Sequence, residues 1–263
     1  MSLIVPRKGW LLGVGALCVV AAIVISVLVF TRSGKDEGRA ESLVIPEGWR
    51  ASQVYPAADR ALDLPRGTTR KAARRAARHG ELNLPREADG NPEGYLFPAT
   101  YPIDERTTAR QLLGHMAGTA HIRLRRGAAT TYDALTVASL VQAEADNPSD
   151  MGKVSRVIAN RLERGMPLGL DATINYALGR STLRTTHADT RLNSPYNTYR
   201  HRGLPPTPVN NPGEHAIRAA VKPPRGDWLY FVTVRPGDTR FTDNYKQHQR
   251  WVREFNENQR GEH

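Results

Sequence analysis

The sequence predicts an α+β protein hung from an N-terminal transmembrane helix, and three observations predict it. An uncharged apolar run fills residues 9–31. Behind it, helical periodicities mix with apolar strand-like runs and proline-rich breaks, an order that favours α+β over all-α. The composition, 40% hydrophobic and 24% charged over 263 residues, belongs to a chain that builds a core.

The run GWLLGVGALCVVAAIVISVLVFT, Gly9 to Thr31, carries no charge, and its 23 residues reach about 34 Å as a helix, enough for a bilayer core. It exceeds the ~7–15-residue core of a cleavable signal, and no A-x-A-like site follows it. Cys18, the sole cysteine, follows Leu17 where a lipoprotein site wants a small residue, so neither lipidation nor an internal disulfide is expected. Arg7 and Lys8 on one side and Arg32, Lys35 and Arg39 on the other leave the orientation open. Residues 1–8 are then a short tail and 32–41 a polar linker.

LVIPEGWRASQVYPAADRAL opens a small module with a strand-like start, a Pro-Glu-Gly turn and a short helix. TTRKAARRAARHG reads as a helix stopped by Gly80, with five basic residues between Arg70 and Arg78. With a net charge of +11, such a run invites nucleic acid, but no aromatic side chain interleaves to stack on bases. A solvated helix is the better reading, with an acidic polymer or lipid as a lesser use. PEGYLFPATYPI, three aromatics set among prolines, is irregular and rigid and closes one segment onto the next. Thr107 to Ala117 reads as a helix begun by Thr107 or Thr108, with Leu112, Leu113 and Met116 at helical spacing.

The next helix, ALTVASLVQAEA, takes Asp133 as its N-cap and ends at Asn147-Pro148. At about 100° per residue, Glu144 falls ~20° from Val137, ~40° from Leu140 and ~60° from Val141, so it continues their apolar stripe. Burial there would disfavour the charged carboxylate and hold its proton, as a general acid requires. On this pattern alone, a side chain escaping into water at a fraying helix end outweighs that reading. PSDMGKVSRVIANRLERGM adds a helix capped by Ser149 or Asp150 and stopped by Gly165, with Met151, Val154, Val157, Ile158 and Leu162 on one side. Asn160 and Arg161 are its notable polar residues, Arg161 equally suited to bracing the fold.

Asp171 and Thr173 open a further helix, where an acid is ordinarily a cap. Asn193 to Gly213 holds five prolines, two tyrosines and four asparagines, a stiff loop that suits either a carbohydrate or a static surface. HAIRAAVKP gives a helix, DWLYFVTV a strand with alternating burial, and DNYKQHQRWVREFNEN a closing amphipathic helix. The eight histidines show no metal spacing, and no G-x-S-x-G elbow, phosphate loop or dinucleotide fingerprint occurs. No metal or other cofactor is expected, and carboxylate chemistry is the best enzymatic option.

EGYLFPATY, VASLVQAEA, VIANRLERGMPLGLDATINYALG, SPYNTYRHRGLPPTPVNNPG and DWLYFVTV, collinear within Leu43 to Glu257, resemble the YceG/MltG-like endolytic murein transglycosylases. The resemblance implies a bacterial inner-membrane protein with a cytoplasmic N-terminus. It also implies a LysM-like subdomain over residues 42–100 and a catalytic domain over 101–258 facing the wall. Its catalytic glutamate falls on Glu144; many members carry a second acid two positions earlier, where this chain has Gln142. By the same matching, Asn160, Asp171, Thr173, Ser194, Tyr196, Asn197, Thr198 and Tyr199 fall where the glycan cleft is expected. The implied reaction cuts between N-acetylmuramic acid and N-acetylglucosamine and leaves a 1,6-anhydro end. The implied partners are glycan strands, the membrane through residues 9–31 and peptidoglycan synthases, with no nucleic acid. A wall-binding scaffold that does not cut is the competing expectation.

Overall fold

The computed structural model describes residues 41–180 and 186–261. The expected transmembrane helix over 9–31 lies outside them; among the described residues no helix is long and apolar enough to cross a membrane. The fold is α+β, with eight α-helices and two two-stranded sheets among the described residues. The described residues from Ser42 onward form one compact unit.

The first half is built on strand β1 (Glu41–Val44), helices α1 (Ala51–Ala61) and α2 (Thr68–Arg78), strand β2 (Thr100–Ile103) and helix α3 (Ala109–Arg126). β1 pairs with β2, so the end of the proline-rich PEGYLFPATYPI segment is a strand. Its aromatics are buried: Tyr95, Phe97 and Tyr101 are each no more than 5% exposed. Thr108 caps α3 by accepting from the Gln111 amide, and Gln111 returns the bond, a reciprocal box that fixes the start. Leu112, Leu113 and Met116 are fully buried against Leu43, Ile45, Val54 and Leu96. Each such side chain is worth about 1.5–3 kcal/mol relative to exposure. α3 runs nine residues beyond Ala117, to Arg126, because Ala120 and Leu124 carry its apolar face onward.

The second half packs α4 (Tyr132–Glu144), α5 (Pro148–Glu163) and α7 (Glu214–Val221) on one another, with the short α6 (Asp171–Ala177) against α4. Leu140, Val141, Val154, Ile158, Leu168 and Val209 form the core between them. Two caps differ from the expectation. Thr131, not Asp133, accepts from the Ala134 amide at the start of α4. Asn147 accepts from the Asp150 amide and caps α5, with Pro148 at its first position, so Asn147-Pro148 opens one helix instead of closing the other. Gly165, at φ +61°, stops α5 as expected.

Strands β3 (Tyr230–Arg235) and β4 (Asp238–Thr242) make an antiparallel hairpin with Phe231 opposite Phe241, and α8 (Tyr245–Gly261) packs on β3. β4 was not expected; Asp238 to Thr242 lacks a hydrophobic run, and the hairpin's Pro-Gly turn is its only local signal. The expected alternation along β3 is blurred: only Val234 is fully buried.

The proline-rich loop from Asn193 to Gly213 is a belt, not a surface appendage. Val209 donates its amide to Ser139 Oγ, Asn210 donates its side-chain amide to the Ser139 carbonyl, and Gly213 donates to Gln142 Oε1. Asn211 ties the two halves together, accepting from the Leu96 amide at 2.8 Å and donating to the Trp49 carbonyl at 2.8 Å. Replacing Asn211 by Ala leaves the buried Leu96 amide without its partner, while the Trp49 carbonyl keeps the backbone amide of residue 211, and lowers stability by about 1–3 kcal/mol. Denaturant titration will show a lower midpoint; an unchanged midpoint contradicts the belt's role.

Candidate active site

Glu144 is the last residue of α4, and Ala145 turns the chain into extended backbone at φ −147°, ψ 142°. The stripe inferred from the sequence holds: Leu140 and Val141 are completely buried and Val137 packs against the same core. Glu144 keeps a strip of accessible surface while protein crowds its carboxyl. Its carboxyl is pushed up from the ordinary 4.5 to about 7, first by desolvation and then by the negative charge of Asp171. The Ala172 amide and the Arg161 charge pull the other way.

α6 brings Asp171 to this place. Its first residue is Asp171, and instead of capping the helix its Oδ1 accepts from the Tyr199 hydroxyl at 2.5 Å. The Tyr199 phenol is pushed up by desolvation and by that bond. The turn before α6 is fixed by a buried hydroxyl pair: Thr173 and Thr198 Oγ1 atoms lie 2.9 Å apart, and Thr198 accepts from the Leu170 amide at 3.0 Å. Thr173 in turn donates to the Leu170 carbonyl at 2.7 Å.

Arg161 closes the group from α5. Its Nε donates to the Leu229 carbonyl at 2.7 Å and its Nη1 to the Leu168 carbonyl at 2.5 Å, and its guanidinium stands 5.3 Å from the Tyr230 ring centre. It therefore braces the fold and sets the local potential at once, as its ambiguous reading from sequence allowed.

Of the residues matched to the cleft, Asp171 and Tyr199 join Glu144, and Thr173 and Thr198 hold the backbone beneath them. Asn160 is 7% exposed, and its amide donates to the Gly226 and Trp228 carbonyls. Asn197 is buried, donating to the Thr190 and Leu192 carbonyls. Ser194 accepts from the Tyr196 amide, and Tyr196 reaches Thr207 and the Tyr176 ring instead of Glu144.

Sequence reasoning missed a second buried carboxyl, Glu93. Desolvation pushes it to about 7 against the Ala51 amide, the Tyr176 hydroxyl and the charge of Arg50. Its Oε1 takes the Ala51 amide at 2.8 Å and the Asn211 side chain at 3.2 Å, and Oε2 takes the Tyr176 hydroxyl. With both oxygens engaged and 3% exposure, Glu93 joins the two halves and is poorly placed to give a proton to a ligand. Nothing local marks it, since its partners lie far away in sequence. No group of histidines, cysteines and acids among the described residues has the makings of a metal site.

Residues 24–254 match the YceG-like family, and the chain belongs to that family. It is 37% identical over 164 residues to the endolytic murein transglycosylase of Bacillus subtilis (strain 168), covering 59% of this chain and 46% of that protein. Against the endolytic murein transglycosylase of Streptococcus pneumoniae (strain D39) it is 37% identical over 175 residues, 62% of this chain and 32% of the other. The chain thus spans half or less of the length of these relatives. A 2.6 Å crystal structure of a yceG-like protein from Listeria monocytogenes superposes with a TM-score of 0.69 at 28% identity, over 80% of this chain and 75% of that one.

Because Glu144 holds its proton more tightly folded than unfolded, it costs stability as pH rises from about 4.5 to about 7 and leaves that cost in place above. Glu144→Gln therefore unfolds at a higher temperature than the parent at about pH 8 and at the same temperature near pH 4. A destabilised variant at the higher pH contradicts the buried, protonated carboxyl.

Proposed function

We infer that the chain is a membrane-anchored endolytic murein lytic transglycosylase. In this reading it cuts the bond between N-acetylmuramic acid and N-acetylglucosamine in nascent strands, leaves 1,6-anhydro ends and so terminates elongation. The observation that carries it is Glu144, a carboxyl that keeps its proton near neutral pH beside a polar cluster, in a chain 37% identical to proteins named for this reaction.

Glu144 gives its proton to the glycosidic oxygen as the bond from the muramyl anomeric carbon breaks, and N-acetylglucosamine leaves with a free 4-hydroxyl. The resulting carboxylate takes the proton of the muramyl 6-hydroxyl while O6 closes onto the anomeric carbon of the same ring. Glu144 ends protonated, and no water is consumed. Because the nucleophile belongs to the substrate, its effective concentration is high and no second base is needed. Asp171 contributes a negative charge that raises the proton affinity of Glu144 and opposes the positive charge developing on the sugar. Tyr199, 39% exposed and bonded to Asp171, is the aromatic face best placed to meet a sugar ring. Asn160, Thr173, Asn197 and Thr198 serve by holding the cleft's backbone, with Ser194 and Tyr196 further along its loop.

The membrane reading places residues 9–31 in the inner membrane, the N-terminus in the cytoplasm and the described residues at the wall. There, residues 42–100 are a LysM-like subdomain, residues 101–258 are catalytic, and peptidoglycan synthases are natural neighbours. The non-cutting scaffold would share the anchor and the cleft, but it has no use for a carboxyl kept protonated at neutral pH.

Purified peptidoglycan digested by the full chain will release anhydro-ended fragments, with the rate falling as pH rises through about 7. Glu144→Gln will fold and release none, as read by mass analysis. Substantial cleavage by that variant contradicts the assignment, and reducing ends in the parent digest would mean that water replaces O6.

A further inference from the structure

A cavity of about 570 Å³ lies between the start of α5, α7 and the connector that follows α7, and the cleavage described above does not use it. Its four ionisable lining side chains, Lys153, His215, Arg218 and Lys222, are all of the basic kind. Two acids stand beside them: Asp150 pairs with Lys153 at 3.7 Å, and Glu214 pairs with Arg218 at 3.2 Å and also with Arg123. Lys222 has no ion pair or side-chain hydrogen bond among the described residues, and it is exposed. The positive end of the 16-residue helix α5 adds to the same field. Apart from Ser149, the remaining wall is apolar, with Trp228, Pro223, Pro224 and Ala219 facing the basic side chains.

This wall is built, not incidental. From one side of α5, Arg156 donates to the Pro223 and Pro224 carbonyls and Asn160 to the Gly226 and Trp228 carbonyls. A Cβ on Gly226 would lie 2.5 Å from the Trp228 ring, and one on Gly152 would lie 3.1 Å from Pro224 Cδ. Only glycine at 226 lets the indole sit where it does, and glycine at 152 lets the proline approach α5. Three residues separate Glu144 from Pro148 at the cavity's edge, so their backbones are at most about 14 Å apart. The volume is of the size that holds a small polar ligand.

We propose that this cavity binds the carboxylates of the stem peptides borne by muramyl residues next to the cleavage point, an assignment that rests on the peptidoglycan reading above. The N-acetylated sugar backbone is neutral, because the lactyl carboxyl of each muramyl residue is spent in the amide to its peptide. The peptide's own carboxylates are the strand's negative charges, and they hang within reach of the cleft. Lys222, Lys153 and Arg218 supply charge to match them, and Trp228 and the prolines cover the aliphatic parts of the peptide.

The test is binding by the full chain carrying Glu144→Gln, which is read without cleavage. Glycan strands with intact stem peptides are compared with strands stripped by an amidase and then capped as neutral methyl amides at the freed lactyl carboxyls, at low and high salt. Intact strands will bind about tenfold more tightly, and salt will erode that advantage. Adding Lys222→Glu will bring intact strands down to the stripped level and leave stripped strands unaffected, whereas Lys222→Arg will keep the advantage. Equal binding of intact and stripped strands overturns the proposal, as does an equal loss for both or no loss for intact strands in Lys222→Glu. Binding to anionic phospholipid vesicles that Lys222→Glu abolishes, with intact strands unaffected, would give the cavity to the membrane and overturn it too. Any of these results leaves the cleavage reading intact, because that reading is judged on the parent chain's products.

Discussion

Everything at the site depends on one proton, the one Glu144 keeps. Three features converge on it. The residue ends α4, where the helix's negative pole disfavours a carboxylate. Its apolar stripe removes water from the carboxyl, and Asp171 adds a like charge. Arg161 and the Ala172 amide oppose these only in part, so the carboxyl is poised to hold or lose its proton near neutral pH. A general acid must be protonated when the substrate arrives and able to lose its proton in the transition state, and this balance meets both demands.

The balance is held by polar groups that do no chemistry themselves. The belt from Asn193 to Gly213 is sewn to α4 at Ser139 and Gln142 and to the first half at Asn211. Gln142 shows the economy of the arrangement: two residues before Glu144 on α4, a neutral acceptor takes the Gly213 amide. Along α5, Arg156, Asn160 and Arg161 bond five carbonyls between Pro223 and Leu229, placing Tyr230 beside Arg161 and Trp228 beside the basic cavity. Buried polar groups that are fully satisfied specify one arrangement, and losing a partner is costly. Much of the sequence's asparagine and threonine serves this purpose.

What was legible in the sequence was local. Helical periodicity put Glu144 on its stripe, placed Leu112, Leu113 and Met116 in a core, located the stop of α5 at Gly165 and missed its cap by two or three residues. What was not legible came from pairings between distant segments. The asparagines of the belt look from composition like sugar-binding amides, but Asn197 and Asn211 are buried on backbone groups. Asp171 looks like a helix cap until Tyr199, 28 residues later, takes its oxygen. Glu93 has no periodic signature, since its three donors come from Ala51, Tyr176 and Asn211. Strand β4 is called into being by its hairpin partner more than by its own weakly apolar residues.

The Glu144 proton can be followed through a pH titration by carbon NMR, in the parent and in Asp171→Asn. The midpoint will lie near 7 in the parent and lower once the Asp171 charge is gone. A parent midpoint near the ordinary 4.5, or one that does not respond to Asp171, would contradict the raised proton affinity.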